Sequence, residues 1–210
     1  MEALIRVGAA DGIDDVLETA SWHDCGVELD LTGLDADGER AVTAALDGGP
    51  VPVRSIHYGR TATVSLQEWE LFASQLDRVV ATAERFGCGQ VSVAPPRAEV
   101  NESHTVRDLQ EFMAQADAYA GDADLTVCFL LDGFMGDPEM MNTAFAELAD
   151  PSLAAMVDLA RLADGVNPVP ILEKMDVAVR KLRLPVPVDE VGEHLGALDR
   201  DVTVVAEPPR

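Results

Sequence analysis

Residues 125–131 read LTVCFLL, a short and almost wholly apolar run that is typical of a strand buried on both faces of a parallel sheet. Seven further apolar runs of similar length occur along the chain. They cover residues 4–9, 26–31, 51–57, 90–94, 153–158, 177–184 and 202–206. Amphipathic stretches separate most of them, and the alternation of strands with helices builds a parallel sheet. Eight such units are enough to close a barrel, whose chemistry lies where the strands end.

The stretches between the runs carry helix signals. Ser65 is a predicted N-cap, and Glu68 three residues later completes a capping box. From Trp69 to Ala83 the apolar residues recur at helical spacing, and Gly87 provides a stop. Other helices are predicted over about residues 13–23, 106–120, 139–148 and 189–198, with a shorter one opened by Pro168 and Pro170.

An open doubly wound sheet and a closed barrel both satisfy this pattern. The open sheet normally has a G-x-G-x-x-G turn after its first strand, but residues 8–14 here read GAADGID and no Walker loop occurs. We therefore predict an α/β fold, a (β/α)8 TIM barrel that forms a single domain over residues 1–210.

The length of the chain carries a further expectation. TIM barrels typically take about 250 residues, and this sequence ends four residues after the eighth run. We expect a shortened barrel that lacks its final outer helix. Its exposed flank predicts either a homodimer or a barrel partly open between the first and last strands.

The charge balance is strongly acidic. Asp and Glu number 38 against 15 Lys and Arg, which gives a formal net charge of −23. This excess is typical of cytoplasmic proteins of halophiles, such as haloarchaea, and it argues against nucleic acid as a partner because a phosphate backbone would be repelled. The N-terminus has no signal-peptide pattern, and the longest apolar run, residues 127–131, is too short to span a bilayer. We expect a cytoplasmic protein without a membrane partner.

Six segments, in order along the chain, are similar to strands of one known superfamily. They read CGVELDLT at 25–32, VPVRSIHYG at 51–59, ATAERFGCGQVSVAP at 81–95, LTVCFLLD at 125–132, AAMVDLARL at 154–162 and TVVAEPP at 203–209. Together they resemble the xylose isomerase-like TIM barrels, the sugar phosphate isomerase and epimerase superfamily, over nearly the whole chain. The resemblance implies a sugar or sugar-phosphate isomerase or epimerase that transfers a proton at the C-terminal mouth of the barrel.

The resemblance also implies a site for a divalent metal ion such as Mn, Mg or Zn. In that family carboxylates and one His hold the ion at the ends of strands five to eight, and the matching carboxylates here are Asp132, Asp158 and Glu207. Asp132 and Glu207 would also serve as the catalytic acid and base. Two positions depart from the family, because Arg161 replaces the His of strand six and residues 177–185, VAVRKLRLP, contain no His on strand seven.

These departures support a second interpretation. Arginine beside buried carboxylates repels a metal ion and can replace it electrostatically. The metal site would then have become an internal network of Arg–carboxylate pairs, and the barrel a catalytically degenerate binding or interaction protein. The residues alone leave both interpretations open.

Cations are concentrated on the predicted strands or just beyond their ends. Nine of the 15 Lys and Arg lie there, namely Arg6, Arg54, Arg60, Arg97, Arg161, Arg180, Lys181, Arg183 and Arg210. At a barrel mouth they favour an anionic ligand such as a phosphate or carboxylate, with Arg161 and Arg97 as predicted substrate-binding residues. Neighbouring strand residues such as Arg180 and Lys181 face opposite ways, so not all nine converge.

Two further residues are predicted at the mouth. His57 ends the third run and is the best candidate for a catalytic titrating group, with a hydrogen-bonded structural histidine as the alternative. Glu28 matches a family position near the mouth and is a predicted substrate-binding residue. Its side chain could instead bond an Arg of a neighbouring strand, and Asp30, on the same face, could compete for that partner.

Overall fold

Eight parallel strands close into a barrel in which each strand pairs with the next along the chain. The structure is a computed structural model and describes residues 2–8, 12–59, 68–93, 114, 116–118, 124–130, 153–159, 179–191 and 202–208. The strands are β1 Glu2–Val7, β2 Gly26–Asp30, β3 Val53–Tyr58, β4 Gln90–Val93, β5 Thr126–Leu130, β6 Leu153–Asp158, β7 Val179–Pro187 and β8 Thr203–Glu207. Each strand lies in one of the eight apolar runs or overlaps it, so the predicted TIM barrel is confirmed.

Strand pairing is complete around the barrel. β1 and β8 pair in parallel from Glu2 opposite Thr203 to Ile5 opposite Ala206, and the amide of Glu2 donates to the carbonyl of Val202 at 3.2 Å. The prediction of a barrel partly open between the first and last strands is therefore wrong, because these two strands hydrogen-bond like the other pairs. The homodimer stays a prediction.

Three helices are described on the outside of the barrel, α1 Ile13–Trp22, α2 Ala36–Leu46 and α3 Glu68–Phe86. The first and third were expected, although the N-cap predicted at Ser65 lies outside the described residues. The helices predicted over 139–148 and from Pro168 also lie outside them. The helix predicted over about 106–120 is helical at its described residues, 114 and 116–118. The helix predicted over about 189–198 begins with a 3-10 turn at residues 188–190.

Helix α2 is not predicted from the sequence. Its first turn is polar, and only Val42, Thr43 and Leu46 are buried, so the helical spacing of apolar residues is weak. The helix begins because the side chain of Asp35 accepts a hydrogen bond from the amide of Gly38 at 2.7 Å. No helix in the described ranges is long and apolar enough to cross a membrane.

The main apolar core lies between the barrel and its helices. Alternate strand residues such as Ile5, Leu29 and Ile56 belong to it, together with Ala20 of α1 and Leu76 of α3. The residues between them point into the barrel, because successive strand side chains face opposite ways. On β5 and β6 those inward side chains form a separate small apolar cluster of Cys128, Leu130, Ala154 and Met156. On β2, β3 and β7 they are polar.

Gly26 provides a test of the packing at the start of β2. A Cβ atom there would lie 2.6 Å from Cγ of Arg54, 3.0 Å from the carbonyl oxygen of Pro52 and 3.2 Å from Cδ2 of Leu4. The Arg54 side chain can move, but the Pro52 carbonyl accepts a hydrogen bond from the amide of Val27 at 3.0 Å and is fixed. We expect Gly26→Ala to lower the free energy of unfolding by about 1–3 kcal/mol in urea titrations.

Gly89 is the matched control for this substitution. It lies just before β4, and a Cβ atom at Gly89 would have no neighbour within 4 Å. Gly89→Ala should therefore change the free energy of unfolding by no more than about 0.5 kcal/mol. Equal stability of the two variants would contradict the packing described here.

Candidate functional site

Polar side chains from five strands are buried together inside the barrel. Each of them is at most 6% exposed, and they are Glu28, Asp30, Ser55, His57, Ser92, Asp158, Lys181 and Arg183. They come largely in pairs two residues apart on one strand, because a spacing of two puts both side chains on the same face of a strand. This set is called the interior network below.

Lys181 lies at the centre of the interior network. Its Nζ donates to Oγ of Ser55 at 2.6 Å and to Oγ of Ser92 at 2.8 Å, and it forms an ion pair with Glu28. These contacts join β7 to β2, β3 and β4 across the barrel. An ammonium group has three N–H donors, so Lys181 has a partner for each of them.

A chain of alternating charges runs from this centre to the rim. Nη2 of Arg183 donates to Oε1 of Glu28 at 3.1 Å and to Oδ2 of Asp30 at 3.4 Å. Nε of Arg6 donates to the same oxygen of Asp30 at 2.6 Å, and Nη1 of Arg6 lies 3.5 Å from Oε1 of Glu207. Arg6 and Glu207 are 32% and 38% exposed, so the chain of charges reaches solvent on β1 and β8.

The cations of the interior network keep Glu28 ionised. Burial alone would raise the pKa of its carboxyl group, but the ammonium of Lys181, together with the guanidinium of Arg183, outweighs burial and lowers the pKa to about 2. In the same way, burial would lower the pKa of Arg183, and the carboxylates of Glu28 and Asp30 raise it instead. Both groups are therefore charged at neutral pH.

His57 is neutral in the same surroundings. Burial, followed by the guanidinium of Arg183, lowers the pKa of His57 to about 4. Nδ1 of its ring lies 2.8 Å from Oγ of Ser92. Because that hydroxyl already accepts from Lys181, it is suited to donate to Nδ1, which would leave the ring proton on Nε2.

The structure brings some of the predicted site residues to the C-terminal rim of the barrel. Asp158 is the last residue of β6 and Glu207 the last of β8, so these two carboxylates lie on either side of β7. His57 is near the end of β3, and Glu28 lies deeper, in the interior network. The others, Asp132, Arg97 and Arg161, lie outside the described residues. Their predicted roles, and those of the four described residues, stay predictions.

The described part of the rim does not fit a divalent metal ion. Within it, no group of three or more His, Cys, Asp or Glu side chains is placed to hold one. In the β6–β7 register Arg183 lies opposite Asp158, on the strand where the resemblance implies a His ligand. A guanidinium group there supplies positive charge and no lone pair, so it opposes a cation beside Asp158.

Three of the nine strand cations enter the charged chain. They are Arg6, Lys181 and Arg183, whereas Arg54 and Arg180 are exposed and the remaining four lie outside the described residues. The predicted opposite facing of Arg180 and Lys181 is confirmed. The interior network has a signal in the sequence, namely charged residues two apart in strands that are otherwise apolar, as in GVELD and KLRL.

Similar proteins are found among solved structures. No protein-family model matches the chain, and no curated protein matches it. The D-psicose 3-epimerase of Clostridium cellulolyticum H10 has a TM-score of 0.67 and 10% identity, over 99% of this chain and 85% of that one. The 3-keto-D-glucoside 4-epimerase of E. coli has a TM-score of 0.68 and 15% identity, over 99% of this chain and 92% of that one. A family 2 AP endonuclease from Brucella melitensis has a TM-score of 0.70 and 14% identity, over 100% of this chain and 93% of that one.

These similarities identify the architecture. The chain has the same barrel fold as these sugar epimerases and this AP endonuclease. Identity of this order shows the fold alone, and one fold supports many chemistries. The function must therefore be argued from the site.

The ion pair of Lys181 with Glu28 can be tested by a double-mutant cycle. Lys181→Met should lower the free energy of unfolding by about 3–5 kcal/mol, because it leaves the Glu28 carboxylate without its closest cation. The double variant with Glu28→Gln should lose less stability than the sum of the losses of the two single variants. The difference, which is the coupling free energy, should be at least about 1 kcal/mol in urea titrations. Arg180→Met, on the exposed face of the same strand, is the control. Strictly additive losses would contradict the ion pair.

The neutral His57 predicts a loss of stability in acid. Below pH 6.5 the unfolded chain protonates this imidazole, whereas the folded chain does so only near pH 4. Stability should therefore fall as the pH drops from about 6.5 to 4, by roughly 3 kcal/mol for this group. Stability should fall further as the pH drops from about 4.5 to 2, because folding lowers the pKa of Glu28.

His57→Gln should reduce this dependence between pH 6.5 and 4 in urea titrations at constant salt. His23→Gln is the control for the substitution itself, since His23 is exposed after α1 and lies outside the interior network. A slope that is the same in the wild type and in His57→Gln would show that His57 is not held neutral.

Proposed function

We propose that this protein is a sugar or sugar-phosphate isomerase or epimerase that transfers a proton at the C-terminal mouth of its barrel. The observation that carries the proposal is the position of Asp158 and Glu207. Each ends its strand at the same rim, one on either side of the strand that holds Arg183. Active sites of TIM barrels lie at this end, where Glu207 can act as a base and Asp158 can help to hold a small hydroxylated substrate.

The proposed reaction begins with removal of a proton from a carbon next to a carbonyl group. The Glu207 carboxylate takes that proton, and the electron pair of the C–H bond moves toward the carbonyl oxygen to form an enediolate. Asp132, in its protonated form, returns a proton to one of two places. It protonates either the former carbonyl carbon, while the hydroxyl proton of the first carbon passes to the enediolate oxygen, or the opposite face of the first carbon. The first outcome is an isomerisation and the second an epimerisation.

The other predicted residues have supporting roles in this proposal. Arg161 and Arg97 would hold an anionic end of a sugar phosphate. His57, a neutral imidazole near the end of β3, would exchange a hydrogen bond with a substrate hydroxyl. Glu28 would act through Arg183, because both of its oxygens already contact partners inside the barrel.

The metal ion implied by the resemblance would be held by Asp132, Asp158 and Glu207. Arg183 opposite Asp158 does not fit that assignment, as its guanidinium places positive charge beside one of the three carboxylates. No step of the proposed reaction is therefore routed through a metal ion.

A binding or interaction protein is the second candidate function. It is favoured by the continuous pairing from Lys181 through Glu28, Arg183, Asp30 and Arg6 to Glu207, in which each of the three carboxylates has a cationic partner. Such a network is what an acidic site becomes when guanidinium groups replace a metal ion. The two functions differ in whether a substrate C–H bond is ever broken.

Exchange of substrate hydrogen with solvent discriminates between them. The protein is incubated in D2O with ketoses, aldoses and their phosphates, separately with EDTA and with Mn²⁺, Mg²⁺ or Zn²⁺, and deuterium at carbon is followed by NMR. An isomerase or epimerase should introduce deuterium next to the carbonyl of at least one sugar. Glu207→Gln should lower that rate about 100-fold or more, since it removes the proposed base.

Glu2→Gln is the control for this experiment. Glu2 lies at the opposite end of β1 and is exposed, so its loss should leave the rate unchanged. If no sugar exchanges under any of these conditions, catalysis at the mouth is refuted and the binding function is favoured.

A further inference from the structure

Two buried serines of the interior network, Ser55 and Ser92, accept hydrogen bonds from the same ammonium group. Nζ of Lys181 donates to them at 2.6 and 2.8 Å. Because an ammonium group has no lone pair, each serine must pass its own hydroxyl hydrogen to another acceptor. Ser55 donates to Oε2 of Glu28 at 3.2 Å. For Ser92 the one other partner among the described residues is Nδ1 of His57, at 2.8 Å.

This arrangement determines which ring nitrogen of His57 carries the proton. With a proton on Nδ1, the ring and the Lys181 ammonium would both donate to the Ser92 oxygen. The hydroxyl hydrogen of Ser92 would then have no acceptor in the described part of the barrel, and Ser92 has no solvent exposure. A buried donor without an acceptor is costly. With the proton on Nε2, Ser92 donates to Nδ1 and all three groups are satisfied.

The Nε2 edge of the ring extends toward the C-terminal end of the barrel. His57 lies opposite Ser92 in the β3–β4 register, so Nδ1 is held at the level of its own residue. Gly59 comes directly after the end of β3. A Cβ atom on Gly59 would lie 3.0 Å from Nε2 of His57. The ring therefore reaches from its own level to the residue beyond the strand, on the side where the mouth lies.

Gly59 leaves room for this edge of the ring. Its φ lies outside the left-handed region, so the backbone alone does not require glycine here. A Cβ atom would also lie 2.8 Å from Oγ1 of Thr32, and the Gly59 amide donates to that oxygen at 2.5 Å. Since the amide bond holds the strand end in place, a larger residue would press on the Nε2 edge of His57.

A positive charge lies behind the Nε2 hydrogen. The Lys181 ammonium polarises the Ser92 hydroxyl, and the hydroxyl in turn polarises the ring through Nδ1, which strengthens Nε2–H as a donor. Burial, followed by Arg183, lowers the pKa of His57 to about 4, so the ring is neutral at neutral pH. Its single lone pair, on Nδ1, is occupied by Ser92. The ring is thus arranged to donate a hydrogen bond and not to accept a proton.

We propose that Ser92, together with Lys181, is a positioning residue that holds His57 as the Nε2–H tautomer, so that the imidazole presents a donor and no acceptor toward the mouth. What the donor meets rests on the proposed function. In that reaction it is the carbonyl oxygen of the substrate, which becomes negatively charged as the enediolate forms. Glu207 remains the base, and His57 stabilises the charge.

Nitrogen-15 NMR of the histidine rings tests this inference in the full chain at neutral pH. The ring nitrogens are observed through their couplings to the carbon-bound ring hydrogens, and His57 is assigned from the signals that are lost in His57→Gln. The two nitrogens of a single tautomer resonate far apart. In the wild type, His57 should show a protonated Nε2 and an unprotonated, hydrogen-bonded Nδ1. The exposed His23 is the internal reference for a ring outside the interior network.

Ser92→Ala removes the hydroxyl that donates to Nδ1. The Nδ1 resonance of His57 should move toward that of a nitrogen without a hydrogen bond, and the Nδ1–H tautomer should become populated. Ser55→Ala is the matched control, because it removes the other serine on the same ammonium and should leave the tautomer of His57 unchanged. For any sugar that exchanges deuterium, Ser92→Ala should lower the rate about 10- to 100-fold.

The outcomes separate this inference from the proposed function. The expected tautomer in the wild type, with an Nδ1 resonance that moves in Ser92→Ala and not in Ser55→Ala, supports the inference even where no sugar exchanges deuterium and the proposed catalysis fails. A wild-type His57 with its proton on Nδ1, or an Nδ1 resonance that Ser92→Ala leaves in place, overturns it even where a sugar does exchange. Exchange at the wild-type rate in Ser92→Ala also overturns the positioning role.

Discussion

The ion pair between Lys181 and Glu28 is the interaction on which the interior of this barrel depends. Neither side chain has any solvent exposure, and desolvating two charges costs several kcal/mol for each unless close partners offset it. β7 and β2 are not neighbours in the sheet, so the pair spans the barrel. Ser55 and Ser92 accept the remaining hydrogens of the ammonium group. Directional contacts thus replace, on this side of the interior, the layers of branched apolar residues that usually fill a TIM barrel.

Polar groups become less completely paired from this pair toward the mouth. Lys181 has a partner for each donor, Arg183 keeps one donor unused, and Arg6 and Glu207 are partly exposed. A rigid base beneath an incompletely paired rim is the arrangement that a binding site needs, because supporting contacts hold the groups that meet a ligand in place. The apolar cluster on β5 and β6 fills the part of the inner face that lies between the polar side chains of β4 and those of β7.

The sequence predicts the barrel well because apolar runs and their spacing are local signals. It does not predict α2, whose formation depends on the Asp35 cap and on only three buried side chains. The interior network is harder to predict, since Lys181 and Glu28 come from strands far apart in the chain and the partnership exists only after closure. The rim is intermediate: the strand-end positions of Asp158 and Glu207 follow from the runs, but the placement of Arg183 opposite Asp158 depends on the bulged register of β6 and β7.

The spacing of two residues between the buried charges also affects how the strands find their alignment. A slip of one residue in β7 would move Lys181 and Arg183 into the apolar layer beneath the helices and turn Arg180, now exposed, toward the carboxylates. Apolar contacts alone distinguish such alignments weakly, because strands like these are hydrophobic on both faces. Unpaired charge in the apolar layer penalises the slipped alignment heavily. Strand β7 therefore pairs in one register only, the one that keeps Lys181 and Arg183 beside the buried carboxylates.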